Sequence, residues 1–107
     1  MTGEPETPTV IALSVDLMDR SKLSGAFPDA RIVRSVDALI EASNDDAVCL
    51  VDLSRIGDPA QLTAVTGRVI GFGSHVNEAQ LDAAAEAGIE ALPRSLFFRR
   101  LQDGSLI

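Results

Sequence analysis

Five consecutive apolar residues, Ala47, Val48, Cys49, Leu50 and Val51, run without a break into the charged Asp52. A half-exposed strand would alternate apolar and polar side chains. An unbroken run needs cover on both faces, as in a strand inside a parallel sheet. Such a sheet also requires helical crossovers between its strands. This one segment therefore predicts an α/β domain.

The rest of the chain supplies those crossovers. Residues 9–14, 31–34, 68–72 and 89–92 read as further short strands. Residues 19–27 read as a helix ended by Gly25 and Pro28. Ser35 is placed to cap a helix with Val36, Leu39, Ile40 and Ala42 on one face. Asn44, Asp45 and Asp46 mark a turn. Asp58 caps and Pro59 opens a helix carrying Leu62 and Val65, which stops near Gly67. Residues 78–87 form the next helix, with Leu81, Ala84 and Ala85 inward and Gly88 as its terminator. Leu96, Phe97, Phe98 and Leu101 outline a last helix after Pro93. Strand and helix alternate five times. Short right-handed connections then predict a doubly wound sheet of order 2-1-3-4-5, in three layers α/β/α. Residues 1–8 read as a flexible tail and 9–107 as one domain.

Composition narrows the function. The 107 residues carry a net charge of −7, which disfavours nucleic acid and anionic membranes as partners. One cysteine and one histidine leave no multi-cysteine or two-histidine metal site. Cys49 reads as a buried thiol and His75 as a surface or capping residue. No basic-then-apolar leader precedes residue 9, and no apolar run approaches the ~20 residues of a membrane span. A cytoplasmic location is the expectation. Gly71-Phe72-Gly73 reads as close packing of the fourth strand, not as a nucleotide loop. Sites in such sheets lie beyond the C-terminal strand ends, which directs attention to residues 14–19, 52–56, 73–75 and 93–95. Asp16 and Asp19 read there as solvated acids at a helix start.

Three segments taken in order resemble the receiver domain of bacterial response regulators, whose fold is flavodoxin-like. Residues 47–54, Ala-Val-Cys-Leu-Val-Asp-Leu-Ser, are similar to the strand that ends in the phosphoacceptor aspartate. Residues 68–75 are similar to the fourth strand and its loop. Residues 83–94 are similar to the helix, glycine, fifth strand and basic turn. The resemblance spans residues 9–102. It implies Asp52 as the phosphoacceptor equivalent, with Asp16, Ser74 and Arg94 as supporting positions, and with Asp16 and Asp52 as the available ligands for Mg2+. The chain departs from the family pattern at three places. Ser14 and Val15 stand where an acidic pair is usual, Gly73 where a hydroxyl residue is usual, and Arg94 where a lysine is usual. An Asp52–Arg94 ion pair is expected in place of metal and lysine.

The expectation is a degenerate receiver: a non-enzymatic signalling module that needs no cofactor and no phosphorylation. With no output domain after Ile107, it would act on another protein or through a homodimer. The resemblance implies a partner surface along residues 78–101, including Gln80, Ala87, Phe97 and Phe98; at least one of the two phenylalanines is expected in the core. The alternatives are a working single-domain receiver phosphorylated on Asp52, an anti-sigma-factor antagonist of the STAS type (suggested by Val51-Asp-Leu-Ser-Arg-Ile), and a cofactor binder on the same scaffold.

Overall fold

The apolar run forms the central strand. In the computed structural model, which describes residues 9–74 and 78–107, β3 (Ala47–Asp52) is buried at all six positions. β1 (Thr9–Leu13) pairs with it on one side and β4 (Arg68–Gly73) on the other. β2 (Arg31–Val33) lies outside β1, and β5 (Glu90–Pro93) outside β4. All pairings are parallel, and the order is β2-β1-β3-β4-β5, a flavodoxin-like arrangement.

The period-two alternation of strands divides the core into two layers. Ile11, Leu13, Cys49 and Val51 face one side, where they meet Leu39 of α2 (Val36–Ala42) and Ala84 of α3 (Glu78–Glu86). Val10, Ala12, Val48, Leu50, Ile70 and Phe72 face the other. They are covered by Leu23 of α1 (Leu17–Ala26) and by Phe97 and Leu101 of α4 (Arg94–Asp103). Three layers α/β/α result.

Local chemistry sets the element ends. The Ser35 side chain accepts from the Ala38 N–H at 3.1 Å and starts α2. Asp58 accepts from the Ala60 N–H at 2.9 Å. The segment that follows, residues Pro59–Ala64, is a 3-10 helix and not the expected α-helix. Its closing bonds run from Gln61 to Asp58 and from Val65 to Leu62, three residues back. Thr63 also turns its hydroxyl onto the Ala60 carbonyl at 2.8 Å. Backbone bonds that close three residues back give the tighter 3-10 geometry, which is used in short pieces. A second difference concerns α3, where Ala85 is exposed and Ala84 alone is buried.

Glycine is required at two places. Gly67 has φ +97°, and a Cβ there would lie 2.5 Å from the Ala47 carbonyl oxygen. Gly71, on β4, admits the Leu53 side chain; a Cβ would meet Leu53 Cδ2 at 2.8 Å. The close-packing reading of Gly71-Phe72-Gly73 holds at Gly71. Cys49 is buried, and burial pushes its thiol pKa up to about 11. Among the described residues no helix is long and apolar enough to cross a membrane. His75 and the tail, residues 1–8, lie outside the described residues.

Candidate functional site at the C-terminal strand ends

Asp52 closes β3 and is buried. It caps a short 3-10 turn, Leu53–Arg55. Its Oδ1 accepts from the Ser54 N–H at 3.0 Å and from the Ser54 hydroxyl at 2.6 Å. Its Oδ2 lies 3.9 Å from Nε of Arg55. Both carboxylate oxygens thus face donors supplied within three residues of the chain.

Asp16 is the N-cap of α1. Its Oδ1 accepts from the N–H groups of Met18 and Asp19 at 2.9 and 3.1 Å. The Asp19 N–H bond most of all, with further help from the Met18 N–H and from Arg94 and Arg55, holds the Asp16 carboxyl below the usual range against a small desolvation cost. This is an exposed cap, as the sequence led us to expect.

Asp19 overturns its expectation. It is 1% exposed and not solvated. Asp19 and Leu23 are one helical turn apart and are the two buried residues of α1, so Asp19 shares the inward face. There its Oδ1 accepts from Nη2 of Arg94 in an ion pair. The hydrogen bond that Arg94 donates to Asp19 leads the effects that raise the Arg94 pKa; desolvation opposes it, and the charges of Asp19, Asp52 and Asp16 add to it. Arg94 therefore sits in the field of all three carboxylates but is bonded to Asp19. The expected Asp52–Arg94 ion pair is not formed among the described contacts. Asp52 is committed to Ser54 and Arg55, while α1 delivers a nearer acid to the guanidinium.

Arg94 also stacks. Its guanidinium carbon lies 4.9 Å from the Phe98 ring centre and 5.6 Å from that of Phe72. Phe72 and Phe97 pack at 4.3 Å, and Phe98 stands edge-on to both. The fold thus brings together Asp16, Asp19, Asp52 and Arg94 above an aromatic cluster. Sequence reasoning missed Asp19, whose partner is 75 positions away. Helical spacing from Leu23 was the available signal.

Ser14 follows Leu13, which pairs in register with Val51, and so stands alongside Asp52. It is fully buried, and its Oγ has no hydrogen-bond partner among the described residues. Ser74 is exposed and Gly73 buried.

Mg2+ requires near-octahedral oxygen ligation, usually with carboxylates and waters. Among the described residues no three His, Cys, Asp or Glu side chains cluster to hold a metal. Asp16 and Asp52 each spend an oxygen on backbone capping, and the guanidinium of Arg94 already supplies positive charge. Asp16 and Asp52 both cap through Oδ1, and Oδ2 of Asp52 faces Arg55 at 3.9 Å.

The residues expected at a partner surface differ in burial. Phe97 is fully buried, because α4 turns it onto the sheet, so it cannot contact a partner. Phe98 is half-buried at the edge of the aromatic cluster. The Gln80 amide donates to the Leu53 carbonyl at 2.7 Å, and Ala87 packs against the inner core. No family model, curated protein or solved structure matches the chain.

Proposed function

We propose that the domain is a non-enzymatic protein-interaction module of receiver-like design that acts without phosphorylation. The observation carrying this reading is the internal use of the two groups on which such chemistry would depend. Asp52 is engaged by Ser54 and Arg55, and Arg94 is bonded to Asp19. Phosphoryl transfer to Asp52 would need charge neutralisation around the equatorial oxygens. Providing it would mean breaking a half-buried ion pair and a charge-assisted hydrogen bond.

The test is incubation with magnesium and acetyl phosphate, or with a beryllofluoride mimic. Intact-mass measurement reads a phosphoryl adduct, and backbone NMR reads shifts around Asp52, Gly73 and Arg94. The expected result is no adduct and no cluster of shifts. A stoichiometric adduct lost in Asp52→Asn would establish the working receiver instead.

A further inference from the structure

We propose that the groove between α1 and α4 docks an acidic, apolar-faced segment of a partner protein. This deepens the interaction-module reading and rests on it. The groove encloses about 570 Å³. Its apolar floor is formed by Phe98, Leu101 and Ala26, beside Gly25. Lys22 and Arg99 stand among its lining, and none of the described residues lining it is acidic.

That is unusual for this chain. α1 and α4 hold five of its nine basic residues, Arg20, Lys22, Arg94, Arg99 and Arg100, but only Asp19 and Asp103 of its sixteen acidic ones. Asp19 is already neutralised by Arg94. The opposite layer has the reverse sign: α2 carries Asp37 and Glu41, α3 carries Glu78, Asp82 and Glu86, and neither contains a basic residue. At physiological salt charge acts over only ~8 Å. A docking segment therefore feels the local cations more than the net charge of −7.

The same facts choose among occupants. A second copy could present its acidic α3, but would bring its own net charge of −7. Nucleic acid would seek aromatic faces for base stacking. Phe98 has Lys22 at 5.0 Å and Arg94 at 4.9 Å from its ring centre, so its ring is already engaged by cations. An amphipathic helix with carboxylates beside its apolar stripe satisfies both floor and rim.

The probe is a fluorescein-labelled glutamate–leucine peptide with its leucines on one helical face, titrated by anisotropy into the full chain. One comparison peptide has lysine for glutamate, another serine for leucine. Three variants are measured. Lys22→Glu/Arg99→Glu reverses the rim. Gly25→Trp adds bulk in the groove without changing charge; a Cβ at Gly25 meets nothing within 4 Å, and a cooperative thermal melt checks that the variant is folded. Arg31→Glu/Arg34→Glu makes the same charge change at exposed positions on and beside β2.

Binding of the glutamate–leucine peptide alone is expected. It should weaken roughly tenfold or more in the rim and groove variants, persist in the β2 variant and fall with salt. Failure to bind, or equal loss in the β2 variant, overturns the proposal. So does binding of a single-stranded oligonucleotide in place of the peptide, or a sedimenting dimer abolished by Lys22→Glu/Arg99→Glu. Peptide binding confined to Asp52-phosphorylated protein would uphold the groove and overturn phosphorylation independence. Absence of both adduct and peptide binding would overturn the groove alone.

Discussion

Asp19 and Arg94 form an ion pair in which the carboxylate side chain is 2% exposed and the guanidinium 46%. The two partners therefore carry unequal risks. Arg94→Ala leaves a buried carboxylate with no counter-charge and should cost about 2–4 kcal/mol, below the value for a fully buried pair because water reaches one side. Asp19→Asn leaves an arginine that can turn to solvent and should cost about 1 kcal/mol. Urea denaturation of both variants measures the asymmetry; equal losses would mean that Arg94 does not compensate the buried carboxylate.

Gly71 and Leu53 set a second dependence. The Cβ of Gly71→Ala would stand 2.8 Å from a Leu53 methyl group, inside a core where Leu53 is fully buried. Overpacking of this kind costs about 1–3 kcal/mol. In a Leu53→Ala background the clash is gone, and Gly71→Ala should cost far less. A double-mutant cycle with no coupling would exclude this contact as the reason for the glycine.

Ser14 keeps a buried hydroxyl without a described partner. Ser14→Ala removes the unmet polar group and loses only one heavy atom of packing. It should raise stability by about 1 kcal/mol, seen as a higher melting temperature. A fall of similar size would show that the hydroxyl is engaged.

Acidification should act through Asp16 and Glu90. The Arg68 side chain bonds Glu90 in a fork, with Nη2 to Oε1 at 2.8 Å, and holds the Glu90 carboxyl below its ordinary value of 4.5 despite partial desolvation. Asp16 is held below 3.8 mainly by the Asp19 N–H. Lowered carboxyl values stabilise fully above the unfolded values and lose that contribution as pH falls through the folded ones. Stability should therefore decline below about pH 4.5, the Glu90 reference value. Glu90→Gln should flatten part of the decline in a pH series of urea melts, and an unchanged slope would remove Glu90 from the account.

Much of the architecture was legible because it depends on neighbours along the chain. The apolar run of residues 47–51, the caps at Ser35 and Asp58 and the left-handed Gly88 all act within a few positions. What escaped depends on distance. Asp19 reads as a surface acid until α4 brings Arg94 across to it. Leu17 and Met18 are 77% and 72% exposed because the inward face of α1 falls on Asp19 and Leu23. Phe97 and Phe98 are adjacent in sequence, and the docking angle of α4 decides which one is buried. At the candidate site, the position of Asp52 was legible from its strand. Its engagement by Ser54 was not, because a serine two residues on can equally face water.

The division of the core between early and late elements has a consequence for folding. Val10, Ala12, Val48, Leu50, Ile70 and Phe72 gain much of their cover from Phe97, Leu101 and Leu106. Without α4 and Leu106, that side of the sheet would be covered only by Leu23 and, at its margins, by Phe27, Ala30, Ile32 and Leu92. Until α4 docks and Arg94 closes onto Asp19, that face of the sheet stays open, and transiently exposed apolar surface of this kind is where partly folded chains associate.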